Sequence, residues 1–435
     1  MKKYTVLILT LLLIFVAAMI YSCAGKPDKP DDNAQNESMD NNSSSTESTE
    51  NIKGEDVIAT TSNQSNKKMI KSPKVYSIKS PVAGNYPQGL FKYPNQQNTN
   101  SSGTFTQTLE WIPEIKKVFA TDTQYTAVLT LTPASSKDTF DGVQISDIKG
   151  LPVNNVADIS FEIIDDSMII KIVFEKTAPE NAEPELLFYD EFDGNKLDYA
   201  KWDYCPNWDR QGRSTWDDDL VSVGDGYLHL KFVRDKDFGE RKTSDSKLSK
   251  NWIRAGAIRT MEQNNIDIIF ENTFGYYEAS IKFPVVRGMW GAFWLMSPTQ
   301  WILTEKGGAI GTEIDIVESI WNEQGKYNAA MHWDGYGNQH KGVGSDKLAP
   351  GINIYDGEFH VFAMDWSPSE YIFYVDGVEY WRSDGGSKFN NSGINQNPNY
   401  IKLTLEGADW AGNLPADFTE GEMLVDYVKV YNQPR

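Results

Sequence analysis

GTEIDIVESI, residues Gly311 to Ile320, sets three acidic side chains, Glu313, Asp315 and Glu318, among Ile314, Ile316, Val317 and Ile320. The β-branched residues are strong strand formers. Side chains alternate across a strand, so Glu313 and Asp315 share a face while Glu318 has the opposite parity. A β-bulge adds one residue and resets the alternation. With the bulge at Ile316–Val317, all three carboxylates line one face. A solvent-facing acidic edge would need no such reset, but the flanking aliphatic residues point to a strand inside a sheet. Carboxylates clustered there are costly unless they do chemistry. Glycoside hydrolysis needs two carboxyl groups flanking the scissile bond, one as nucleophile or base and one protonated as acid. A third between them helps hold their pKa values apart.

Around this stretch the chain reads as strand after strand. Examples are GYYEASIKF (Gly275 to Phe283), EFHVFAMDW (Glu358 to Trp366), YIFYVDG (Tyr371 to Gly377) and MLVDYVKVY (Met423 to Tyr431). Asp376-Gly377 is a hairpin signal. No long pattern of helical period interrupts, so residues 186–435 are expected to form one all-β domain, a two-sheet jelly-roll sandwich.

GTEIDIVES resembles the bulged ExDxxE signature of glycoside hydrolase family 16, in its laminarinase-like form. LLFYDEFDGNKLDYAKW, FGYYEASIKFPVVRGMWGAFWLM, FHVFAMDWSPSEYIFYVDG and MLVDYVKVY resemble further strands of that family, so the likeness covers nearly all of residues 186–432. It implies an endo-acting, retaining hydrolase of β-linked glucans or galactans. Carried over, Glu313 is the nucleophile, Glu318 the general acid/base, and Asp315 the charge-tuning residue between them. His332 and Trp333, in AAMHWDG, resemble a pair beside the carboxylates. Trp290 and Trp294, in MWGAFW, resemble cleft aromatics, with a core position the alternative for Trp294. Sugar rings stack their C–H faces on indoles, which is why aromatics are expected there. Trp208, Arg210 and Trp216 fall where relatives carry substrate-contacting loops. Glu406 and Trp410, in LTLEGADWAG, are expected near the substrate as well. Trp301, Trp321 and Tyr336 are further subsite candidates, and Trp202 and Trp366 are expected in the core. Asp426 matches a position that helps bind a structural calcium, with a solvent-facing carboxylate the alternative. The chemistry requires no other cofactor.

The bulged signature favours β-1,3- or mixed β-1,3/1,4-glucan. LTLEGADWAG differs from the Asn- and Gly-rich stretch usual in laminarinase-like members, and IRAGAIRT has Ala257 where an Arg is usual. Galactans of agar, porphyran or carrageenan type therefore stay open. So do transglycosylation, which shares the glycosyl-enzyme intermediate, and a silent glycan-binding protein on the same fold. The presence of all three carboxylates favours an enzyme.

The rest of the chain has a different texture. Of thirteen tryptophans only Trp111 lies before residue 200. MKKYTVLILTLLLIFVAAMIYSC has a basic start and an apolar run, the outline of a secretory signal. Its end, IYSC, resembles a lipobox with Cys23 as the residue to be lipidated. Residues 1–22 are thus expected to be a lipoprotein signal peptide and 23–74 a disordered tether, since Ala24 to Val75 lacks aromatics and is rich in Ser, Asn, Asp, Glu and Thr. A lipid anchor in the cell envelope follows, with Cys205 the sole remaining thiol. Residues 75–178 contain half-buried strands such as YTAVLTLT and are expected to form a small immunoglobulin-like β-sandwich. Trp111, Tyr86, Phe91 and Tyr93 there are either core or a sugar-stacking surface. APENAEPE supplies a linker over 179–185. The net charge of −20 argues against a nucleic-acid partner. A monomer acting on polysaccharide is the expected state.

Overall fold

The computed structural model describes residues 67–435, apart from 76–77, 90–104, 179–184, 211–212, 302–306, 321–325, 346, 387–392 and 409–410. The leader, Cys23 and most of the expected tether and linker lie outside the described residues.

Two large, mostly antiparallel sheets make the jelly roll. The cleft sheet runs in the order Lys341–Ser345, Lys326–Trp333, Thr312–Ile320, Met289–Met296, Asn399–Gly407, Ala257–Arg259 and Asp203–Tyr204. The outer sheet is centred on Gly275–Lys282, which lies between His360–Trp366 and Glu420–Tyr431. Strand alternation builds the core between them. Phe293 and Leu295, Ile401, Leu403 and Leu405, and Met331 and Trp333 point inward to meet Leu230, Tyr277, Met364 and Val428. Trp202 and Trp366 are fully buried, as expected. Asp376 and Gly377 both take positive φ, 49° and 76°, and turn Tyr371–Val375 back onto Val378–Ser383. Only the left-handed conformation matches such a two-residue hairpin to the strand twist, which explains the Asp-Gly pair.

Among the described residues, the small module sets a four-stranded sheet against a shorter facing layer. The four-stranded sheet has the order Phe105–Ile112, Thr126–Pro133, Ser167–Phe174 and Val156–Ile164. The facing layer is a two-stranded parallel ladder, Lys68–Met69 with Asp138–Thr139, and the segments that carry Ile70, Val75, Ile78, Val143 and Ile148. Residues 67–74, expected in the tether, therefore belong to the module. Ile70 is fully buried there, and the polar composition around it concealed that anchor.

The module docks on the outer sheet. Asp365, in the strand His360–Trp366, is buried and accepts a hydrogen bond from the Tyr86 hydroxyl at 2.5 Å, while Lys117 Nζ lies 2.7 Å from its other oxygen. The Tyr86 amide donates to the Asn432 carbonyl at 2.9 Å, and the Ser369 hydroxyl to the Lys116 carbonyl at 2.8 Å. Tyr86 is thus an interface residue. Trp111 is half-buried against Phe119 and Phe174 and donates to the Gln88 carbonyl, so it packs the module. Phe91 and Tyr93 lie outside the described residues.

Candidate active site

The bulge is where parity requires it. Asp315 pairs with Trp294 on one side and Ala330 on the other, Glu318 pairs with Ala292 and Asn328, and both ladders shift register across Ile316 and Val317. Ile314, Ile316 and Val317 pack into the core. Glu313, Asp315 and Glu318 are all buried on the opposite, cleft side.

Their surroundings differ. Glu318 accepts hydrogen bonds from Trp290 Nε1 at 3.0 Å and Asn328 Nδ2 at 2.6 Å. Burial pushes its pKa up to about 7, helped by the charge of Glu313 and opposed by those two donors. Burial also raises Glu313, but the Tyr336 hydroxyl, which donates to its Oε1, and the charges of Lys402, Arg210 and His340 pull it back. Asp315 is raised well above the ordinary range by burial and then by Glu318 and Glu313. Its nearest cationic candidate is His332, with Nε2 3.7 Å away, and burial lowers the pKa of that imidazole.

Glu313, Asp315 and His332 bring ligand-type atoms within 4.8 Å of one another. Two of the three are carboxyls of the bulged strand, and the third faces them from the neighbouring strand. Asp426 sits at a bulge of Glu420–Tyr431 opposite Ser280 and Ile281. It belongs to no three-membered group of acidic, Cys or His side chains among the described residues.

The other sequence candidates sort by strand parity. Trp290 touches Glu318, and His332 reaches Asp315 and shares a 3.0 Å contact with His340. Trp333 is one residue out of phase with His332 and lies wholly in the inter-sheet core, which corrects the cleft assignment. Trp294 is on the cleft side but buried; its Nε1 donates to the Thr404 hydroxyl at 3.1 Å. Trp216 is only 1% exposed, which corrects its expected sugar contact. It lies beneath Arg210 and Lys402, whose charged groups sit 4.5 and 4.6 Å from its ring centroid. Arg210 pairs with buried Glu406 at 2.9 Å. Trp208, Trp301 and Tyr336 are exposed, and Tyr336 stacks on His340 with centroids 5.0 Å apart. Trp321 and Trp410 lie outside the described residues.

Sequence reading missed Lys402, Thr404 and Asn328. NYIKLTLEG alternates Tyr400, Lys402, Thr404 and Glu406 against Ile401, Leu403 and Leu405. That period of two, beside the carboxylate strand, was the available signal for the first two.

Residues 187–433, more than half of the chain, match the family model described as β-porphyranase A–D, GH16 domain. The chain belongs to that family of glycoside hydrolase family 16 domains. The chain is 25% identical over 286 residues to glucan endo-1,3-β-glucosidase A1 of Niallia circulans, covering 59% of this chain and 39% of that protein. It is 28% identical over 271 residues to keratan-sulfate endo-1,4-β-galactosidase of Sphingobacterium multivorum, covering 59% and 57%. It is 29% identical over 196 residues to β-porphyranase D of Zobellia galactanivorans, covering 41% and 42%. In each case the family 16 chain spans less than two thirds of the relative's length. Among solved structures, the laminarinase catalytic domain of Thermotoga petrophila matches with a TM-score of 0.46 at 22% identity, covering 59% of this chain and all of that one.

Proposed function

We propose that the chain is an endo-acting, retaining glycoside hydrolase of a β-linked polysaccharide. The observation that carries this is the bulge-phased set of carboxylates, in which Glu318 is poised near neutral pH and Glu313 is opposed by cations. Glu318, protonated, gives its proton to the glycosidic oxygen while the Glu313 carboxylate attacks the anomeric carbon. The aglycone leaves and a glycosyl ester forms on Glu313. Glu318, now a carboxylate, takes a proton from the water that attacks the same carbon, and the ester bond breaks with net retention. Burial and the two flanking carboxyls disfavour a charge on Asp315, which limits the repulsion between Glu313 and Glu318. Tyr336 holds one Glu313 oxygen and leaves the other to attack.

A sulfated galactan of porphyran type is the substrate we infer first. The family description and the relative named β-porphyranase D support it, and the keratan-sulfate endo-1,4-β-galactosidase is a second relative named for a sulfated, galactose-containing glycan. β-1,3-Glucan is the second reading, favoured by the Niallia relative and by the bulged signature. Reducing-end release from porphyran, agarose, carrageenan, laminarin and mixed-linkage glucan separates them. Proton NMR during turnover should show the β-anomer formed first; the α-anomer first would sink the retaining mechanism.

We further infer that Cys23 carries a lipid that holds the enzyme in the cell envelope, on the strength of the IYSC end of the leader. Cys23→Ala should leave the membrane fraction or stop maturation. A variant still acylated at the membrane would refute the anchor.

A further inference from the structure

We propose that Trp301 and Tyr336 form a sugar-stacking wall, a subsite for the pyranose ring next to the one that faces Glu313; this rests on the reading of the cleft as a polysaccharide site. The wall begins in the turn after Lys326–Trp333. Asp334 and Gly335 both take positive φ, 62° and 67°. Two left-handed residues in a row, which Asp and Gly tolerate, reverse the chain directly after the strand. Asp334 is buried and held by Lys341 Nζ, and the Gly335 amide donates to the Gln300 carbonyl at 3.0 Å. The turn is thus pinned from two sides. It brings Tyr336 back over the cleft, where the hydroxyl donates to Glu313 Oε1.

Trp301 lies against the backbone of the same turn, since a Cβ on Gly335 would stand 3.4 Å from its ring. On another side it meets Tyr336, with centroids 5.6 Å apart at 56°. Tyr336 is backed by His340, stacked at 5.0 Å and 27°, and His340 by His332, at 5.1 Å and 21°. Gly342 makes room for that last ring, because a Cβ there would meet His332 Nδ1 at 2.7 Å. Four rings in successive contact therefore lead from Trp301 to the carboxylates, where His332 Nε2 stands 3.7 Å from Asp315.

The first two rings are left open. Trp301 is 57% exposed and Tyr336 45%. Trp202, Trp216, Trp333 and Trp366 show what the fold does with an indole that only packs: each is 1% exposed or less. Two large rings side by side in solvent make a contiguous apolar patch, the kind of surface that marks a binding site. One side chain joins this patch to the carboxylates, for the Tyr336 ring belongs to the wall and its hydroxyl to Glu313. That continuity identifies the occupant. A glycan held with an anomeric carbon at Glu313 has a neighbouring ring within reach of the wall, and the C–H face of a pyranose stacks on an indole. Trp301 stands one ring beyond Tyr336, so it serves the neighbour and not the sugar under attack.

The test measures binding apart from turnover, with the full chain. Glu318→Gln blocks the first proton transfer and leaves Tyr336 and Glu313 in place. This chain is run in native gels cast with porphyran, carrageenan, laminarin or mixed-linkage glucan. Retardation by at least one of them is expected, and adding Trp301→Ala should weaken the affinity about tenfold. Trp301→Phe, which keeps an aromatic face, should retain most of it. No retardation by any of the four, equal retardation with Trp301→Ala, or equal losses in the Ala and Phe variants would each overturn the wall. Trp301→Ala should unfold at the wild-type midpoint, as a surface substitution does; affinity and stability lost together would make the indole a packing residue. With Glu318 restored, Trp301→Ala should raise KM and spare kcat, because a subsite away from the broken bond binds substrate and transition state alike. A fall in kcat alone would place Trp301 at the reacting sugar and overturn the assignment. If wild type turns over no glycan while the retardation holds, the hydrolase reading fails and the wall stands.

Discussion

Asp315 and Asp365 are the same side chain at nearly the same burial, 5% and 3% exposed, and the fold provides for them in opposite ways. Asp365 has one oxygen bonded by Tyr86 and the other by Lys117. Its charge is answered, and it joins the small module to the outer sheet. Asp315 has two carboxyl neighbours and a His332 whose pKa burial lowers. Its charge is disfavoured, and it sits between two groups that must exchange protons. A buried acid with a full set of donors is a structural part, whereas one left among other acids marks a site where ionisation is used.

The largest expected effects separate the two regions cleanly. Glu313→Ala should lower kcat by at least about a thousandfold, because the covalent step loses its nucleophile, with the unfolding transition kept. Tyr86→Phe should do the reverse. It removes a hydrogen bond to a buried carboxylate, a loss of about 1.5–3 kcal/mol in urea unfolding, and leaves kcat unchanged. A Tyr86→Phe enzyme with wild-type stability would show that the clamp is not what holds the module. One with the expected stability loss and a kcat drop as well would tie the module to the cleft and erase the contrast.

How much of this was legible in the sequence depended on the range of the interaction. The bulge was legible because parity is local: Glu318 falls one residue out of step with Glu313 and Asp315, and only an inserted residue between them restores one face. The same parity places Trp333 in the core once His332 faces Asp315, yet the family likeness treated the two as a pair. The Asp-Gly hairpin was legible for the same local reason. The Tyr86–Asp365 clamp was not, since 279 residues separate its partners and neither segment carries a pattern that points to the other. Trp216 was misread because an exposed aromatic and one buried under Arg210 look alike in a short loop-like stretch. The module's first anchor, Ile70, was hidden by polar neighbours whose average composition resembles a tether.

The smallest effect probes the acid side of the cleft. Asn328 donates to Glu318 Oε2 at 2.6 Å, and that hydrogen bond favours the carboxylate. With it, Glu318 titrates at about 7, so the protonated form needed for the first step is lost as pH rises through neutrality. Asn328→Ala removes a donor to the charged form, so the pKa must rise and the alkaline limb of kcat/KM must move up, by about one pH unit. The acidic limb should stay in place, because Asn328 is not among the groups that act on Glu313. If Asn328→Ala moved both limbs, the two carboxyls would titrate as one coupled pair, and separate acid and nucleophile environments would no longer describe the cleft.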